Sequence, residues 1–131
     1  MLCGAALLYC SKRQQAIALS STEAEVMAAS QASAELVYTT GMLGEMGIVQ
    51  KKPPVLYADN TGAIALAKDR RSCHKSKHID RRYLKVREFV EDGKIIVEHV
   101  STDENPADLF TKCVPLAKFV KFCKMVMGGE P

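Results

Sequence analysis

A chain of 131 residues, 47% hydrophobic and 25% charged, is long enough for one buried core and too apolar to be a disordered segment. No apolar run reaches the length of a membrane span, and the apolar stretch 1–10 has no basic flank before it and no small-residue cleavage site after it, so no signal peptide is read. The net charge is a modest +3, and five cysteines (Cys3, Cys10, Cys73, Cys113, Cys123), odd in number and without pairing rhythm, point to a reducing, intracellular compartment.

In chain order, residues 3–10 and 15–19 read as β structure around a turn at Ser11-Lys12-Arg13. Ser20, Ser21 and Thr22 offer N-caps, and Thr22 with Glu25 has capping-box spacing. An Ala-rich helix then runs to about Met46, with Gly47 as its stop and Gly41 as a weak point. Pro53-Pro54 closes the connection to a short strand, Val55 to Ala58, and Asn60 starts a helix to about Lys68. The basic stretch 69–78 reads as loop. Ile79 to Asp92 reads as a helix closed by Gly93, with Ile79, Tyr83, Val86 and Val90 in one apolar stripe and Arg81 and Lys85 facing outward. Lys94 to Val100 reads as a strand. Asn105-Pro106 is a cap followed by Pro at the first helical position. A last helix begins at Pro115, within the C-terminal segment 114–131, with Leu116, Phe119, Val120, Cys123 and Met127 on one face. Strands alternating with helices indicate a layered α/β or α+β domain, taken as one domain over residues 1–131.

Three acids stand apart from the solvated charge runs. Glu25 lies on the helical face shared by Ala29, Ala32, Leu36 and Leu43, so it heads a stripe expected to pack on a sheet; the alternative is a capping role beside Thr22. An acid on a buried face needs a cation or hydrogen bonds. Asp59 follows the strand 55–58, where ligands of α/β sheets gather; taken alone, the alternative is a second cap residue beside Asn60. Asp108 is three residues past Asn105, where the helix dipole alone favours an acid. Together the three could converge on a divalent metal. Between Lys68 and Arg87 stand nine Lys or Arg against two acids, a local charge of +7, which leaves −4 for the rest of the +3 chain. That block fits a phosphate-backbone partner or a solvated helix face. Cys73, His74 and His78 lack an accompanying CxxC and are not read as a zinc site.

Four strings carry a resemblance: Leu19-Ser20-Ser21-Thr22-Glu23-Ala24-Glu25, Tyr57-Ala58-Asp59-Asn60, Lys77-His78-Ile79-Asp80-Arg81-Arg82-Tyr83 and Ala107-Asp108-Leu109-Phe110-Thr111-Lys112. In this order and spacing they resemble the ribonuclease H domain at the C-terminal end of copia-type retrotransposon Pol polyproteins, over about Gly4 to Met127. The resemblance implies a mixed sheet flanked by helices. It implies hydrolysis of the RNA strand of RNA–DNA hybrids by two Mg²⁺ ions held on four carboxylates. Glu25, Asp59 and Asp108 match three of these, and Glu23 is not carried over. Paired metals stabilise the attacking and leaving oxygens of an in-line displacement, and hard Mg²⁺ takes oxygen ligands without needing His. Asn60, Lys75, Lys77, Arg81, Arg82 and Lys85 are the residues expected to contact nucleic acid. Reverse transcriptase and integrase would be the neighbours within a Pol polyprotein, with cytoplasmic particles or the nucleus as the place of action and no membrane.

The family's first carboxylate is an Asp in its first strand, and residues 1–22 contain no Asp or Glu. Residues 3–19 match only the third strand and the entry to the first helix. The expectation is therefore a ribonuclease H-like fold lacking the first two strands, with weak Mg²⁺ binding and impaired cleavage. The alternatives are a non-catalytic nucleic-acid binder and a pseudogene product. The family's occasional loop His before the last aspartate is replaced by Ser101-Thr102-Asp103-Glu104, and His99 reads as a structural, half-buried residue.

Overall fold

Ser20 sets the start of the first helix. Its backbone is extended, and its hydroxyl accepts the Glu23 N–H at 3.1 Å, satisfying one of the amides that a helix N-terminus leaves without a partner. The cap is thus Ser20, with Glu23 at the third helical position; the Thr22–Glu25 box is not formed. The computed structural model describes residues 5–12, 14, 17, 18, 20–61, 64 and 77–128, with the side chains of all but 77–83. Its regular elements are α1 (Ser21–Glu45), β1 (Val55–Ala58), α2 (Lys77–Glu91), β2 (Ile96–His99), a 3₁₀ helix (Pro106–Phe110) and α3 (Leu116–Met127). They make a mixed α/β chain that divides into two compact units, Ala18–His99 and Met1–Ile17 with Val100–Pro131.

In the unit Ala18–His99, α1 and α2 end the same way. Gly47 and Gly93 take φ of +81° and +66°, a left-handed conformation that costs a side-chain-bearing residue energy. Each turn returns two backbone bonds. After α1, Gly47 N–H bonds Gly44 C=O at 3.0 Å and Ile48 N–H bonds Leu43 C=O at 2.8 Å. After α2, Gly93 N–H bonds Val90 C=O at 3.0 Å and Lys94 N–H bonds Phe89 C=O at 2.9 Å. This double closure is the Schellman motif.

The second closure delivers the chain directly into β2. Ile96 N–H bonds Pro54 C=O at 2.9 Å, and β1 and β2 then pair in parallel, Val55 with Ile96, Leu56 with Val97, Tyr57 with Glu98 and Ala58 with His99. Parallel neighbours need a crossover, and here it is helical. The described residues contain this two-stranded sheet. Ile95 and Val97 point into the core with Ile64 and Val86; Leu36, Val37, Leu56, Ala58, Phe89 and Val90 pack around them. Tyr57 and Ile96, on the other face of the sheet, are exposed. Each fully buried aliphatic side chain contributes about 1.5–3 kcal/mol, so this cluster is the main stabilising force of the unit.

The α1 register differs from the expectation. Its buried line is Val26, Ser30 and Ser33, not the line headed by Glu25. Ala32 is exposed, and Ala29, Leu36 and Leu43 are only half-buried. Ser33 is tolerated inside because its hydroxyl donates to the Ser30 carbonyl at 2.9 Å, so no polar group is stranded. Small side chains on this line also suit the packing of α1 on α2 and β1.

In the other unit, residues 5–10 form no strand beyond an isolated bridge at Ala5, which corrects the β reading of that segment. Their partners are helix ends instead. Ala6 N–H donates to Val126 C=O at 2.9 Å, Ser11 Oγ to Phe110 C=O at 2.9 Å, and Tyr9 stacks on Phe110 with centroids 5.5 Å apart. Residues 3, 4, 15, 16 and 19 lie outside the described residues. Helix α3 packs against the 3₁₀ helix and buries Phe122 completely. The expected apolar face is turned outward: Leu116, Phe119, Val120 and Met127 are exposed. The helix is apolar on two sides, and the sequence pattern picked the other one.

Candidate functional site

Asp59 stands one residue past the carboxyl end of β1, half-buried, and the chain turns helical immediately after it. Ile64 N–H bonds Asn60 C=O at 3.1 Å, so Asn60 opens that turn. Residues 62, 63 and 65–68 lie outside the described residues. A carboxylate at the end of a parallel strand and the start of a helix sits where α/β sheets place ligand groups.

Glu25 lies in the second turn of α1 and is exposed. It belongs to the same unit as Asp59, and the helix bearing it packs against β1. Its exposure follows from the register described above: Val26 takes the inward position, and an ionised carboxylate is cheaper in water.

Asp108 belongs to the other unit. Asn105 caps the 3₁₀ helix by accepting the Ala107 N–H at 3.2 Å, Pro106 follows where its missing N–H costs nothing, and Asp108 comes third. Its side chain is 8% exposed, and Lys112 Nζ lies 3.0 Å from its Oδ1. Its backbone carbonyl accepts Thr111 N–H at 3.2 Å and Lys112 N–H at 2.9 Å. Sequence reasoning missed Lys112, although an Asp and a Lys four residues apart carry the signal for such a pair.

Glu25 and Asp59 therefore come from one unit and Asp108 from the other. Among the described residues, no group of three or more His, Cys, Asp or Glu stands together as a metal-holding cluster. The donor chemistry of the three is all carboxylate oxygen, which suits Mg²⁺, and the buried Asp108 carboxylate already draws a cation, the Lys112 ammonium.

Of the residues expected to meet nucleic acid, Asn60 is half-buried and Lys85 exposed on α2. Lys85 Nζ is 5.9 Å from the centroid of the Phe89 ring, and Lys94 Nζ is 5.7 Å from it. Lys75 and the side chains of Lys77, Arg81 and Arg82 lie outside the described residues, as do Cys73, His74 and most of the stretch read as a basic loop. His99 is exposed rather than half-buried, because it pairs with Ala58 at the last rung of the ladder, where the core no longer covers the sheet.

This α/β chain is similar to transposon Pol polypeptides, and that similarity supports a retrotransposon-derived origin. It is 43% identical over 125 residues, 95% of its length, to the retrovirus-related Pol polyprotein from transposon TNT 1-94 of Nicotiana tabacum. It is 37% identical over 116 residues to the retrovirus-related Pol polyprotein from transposon RE2 of Arabidopsis thaliana and 36% identical over 116 residues to that from transposon RE1 of the same plant, in each case across 88% of the chain. The chain spans only 9% of the tobacco relative and 8% of each Arabidopsis relative. No family model matches it. No solved structure matches it. No helix among the described residues is long and apolar enough to cross a membrane.

Proposed function

We propose that this chain is the ribonuclease H-like part of a copia-type Pol polyprotein, acting on the RNA strand of RNA–DNA hybrids. The observation that carries the reading is Asp59 at the carboxyl end of a parallel strand, inside a stretch that is 43% identical to a transposon Pol polyprotein. The resemblance carried by the four sequence strings supports reading Glu25 and Asp108 as members of the same carboxylate set. These three side chains would hold Mg²⁺, which when bound polarises the scissile phosphate and activates water. The chain's own residues do the rest. The first α1 turns present Glu25, the β1 terminus presents Asp59, and the Asn105 cap fixes the turn that carries Asp108. Asn60, Lys75, Lys77, Arg81, Arg82 and Lys85 would neutralise backbone phosphates, and contacts to the 2′-hydroxyl would select RNA over DNA.

The test is a chimera in which the matched stretch of the tobacco polyprotein is replaced by this chain and assayed on an RNA–DNA hybrid with Mg²⁺. Cleavage is expected, and Asp59→Asn or Asp108→Asn should lower it by more than about 100-fold, a loss that even outer-sphere partners of a metal can cause. Cleavage unaltered in both variants would overturn the reading. Salt-sensitive hybrid binding without cleavage would favour a non-catalytic binder instead.

A further inference from the structure

Tyr9 is 76% exposed even though its ring has a partner. The Tyr9 and Phe110 rings lie 5.5 Å apart between centroids and 11° from parallel, an offset stack. Phe110 is half-buried, so it forms the floor of the stack and Tyr9 the outer layer. Two residues along, Ser11 Oγ donates to the Phe110 carbonyl at 2.9 Å. This bond ties the backbone beside Tyr9 to the end of the 3₁₀ helix and sets the attitude of the ring before any ligand arrives. One face of Tyr9 is occupied by Phe110, and the other, a flat π surface, is left in water.

The two segments that bring these rings together share a charge pattern. Residues 1–22 contain Lys12 and Arg13 and no Asp or Glu, and residues 109–127 contain Lys112, Lys118, Lys121 and Lys124 and no Asp or Glu. Lys112 pairs with Asp108 and Lys118 with Asp103, while Lys12, Lys121 and Lys124 are exposed. We propose that the outer face of Tyr9 is a stacking platform for an unpaired nucleobase of a single-stranded nucleic acid. A flat aromatic face accepts any base, and ammonium groups on the same segments meet the phosphates of the strand. The lysines favour a polyanion over an apolar peptide, which would gain from the ring and nothing from the charge. A ring already stacked and tethered loses little freedom when a base settles on it. The platform asks nothing of Glu25, Asp59 or Asp108, so it stands or falls apart from the carboxylate reading.

The experiment uses the whole chain and a short, unstructured DNA oligonucleotide with an end label, its binding followed by anisotropy. The chain contains no Trp, so Tyr9→Trp places a single indole on the platform. That variant is expected to bind at least as tightly as wild type, with its indole fluorescence quenched at saturation. Tyr9→Ala should bind about tenfold more weakly, the effect of one stacked base. Tyr9→Leu, which keeps an apolar cover on Phe110 without a π face, should weaken binding alike and serves if the Ala variant fails to fold. An abasic oligonucleotide of the same length should bind wild type and Tyr9→Leu equally. Tyr9→Leu holding the base-bearing strand as tightly as wild type, or an indole unquenched at saturation, would overturn the proposal. An equal loss on the abasic strand would assign Tyr9 to the fold and not to a base. Binding absent, or indifferent to salt, would overturn it too, because the lysines would then meet no phosphate.

Discussion

Asp103, in the turn that precedes the 3₁₀ helix, pairs with Lys118 of α3, and the ammonium hydrogen bond holds the Asp103 carboxyl below its ordinary value of 3.8. Lys94 shows the opposite sign: its hydrogen bond to Asp92 at 2.8 Å raises it above 10.5. A lowered Asp stabilises the fold above its unfolded value, and that contribution is lost as pH falls through the folded one; a raised Lys contributes below 10.5 and is lost as pH rises through its folded value. Both pairs face water, so both effects are small and screened by salt. The difference in melting temperature between wild type and Asp103→Asn should therefore shrink below pH 3.8 and in molar salt, as thermal scans across pH would show. A larger single-residue effect belongs to Ser20. Its hydroxyl satisfies a helix amide that Ala would leave bare, so Ser20→Ala should cost about 1 kcal/mol in urea unfolding.

At the level of elements, the α2 closure does more than stop a helix. Gly93 turns the chain so that Lys94 returns to Phe89, Ile95 enters the core and Ile96 bonds Pro54, the first link of β2 to the β1 segment. No heavy atom lies within 4 Å of a side-chain carbon placed on Gly47 or Gly93, so replacing either tests conformation alone. Gly47→Ala and Gly93→Ala should each destabilise by about 1 kcal/mol, with Asn at the same sites costing less because it tolerates a positive φ. A Gly93 loss no greater than that of an exposed helix substitution would show that the turn is not strained in the way described. Ile95, 1% exposed, is the residue next to this turn whose truncation should cost most. Ile95→Ala should lower stability by about 3 kcal/mol through lost burial and the cavity left behind.

For the whole molecule, charge distribution matters more than net charge. The block from Lys68 to Arg87 carries +7 on a chain of +3, which is a local field able to collect a polyanion. Lys85 and Arg87, the basic members of this block whose side chains are described, are respectively exposed and half-buried on α2. Binding of an RNA–DNA hybrid should weaken steeply with salt, and replacing Lys75, Lys77, Arg81, Arg82 and Lys85 by Gln should flatten the log–log slope by about 0.7–0.9 for each phosphate contact removed. Fluorescence anisotropy over a range of salt would measure it; an unchanged slope would assign the block to ordinary solvation.

What the sequence by itself determined was local. Val55–Ala58 as a strand, the Gly47 and Gly93 stops and the Asn105-Pro106 start depend on turn chemistry and capping within a few residues, and each stands where the pattern put it. Which side of a helix faces inward depended on tertiary packing. Helix α1 is Ala-rich and weakly patterned, so the partner surfaces of α2 and β1 chose Val26, Ser30 and Ser33 and left Glu25 in water. Helix α3 offered two apolar sides, and packing chose Phe122. The apolar segment 5–10 has strand-like composition, but its amides and rings found helix ends rather than a neighbouring strand, since pairing requires a partner in register and propensity alone supplies none. The carboxylates were legible as residue types. The cation on Asp108 became evident only once the chain had folded a lysine back onto it.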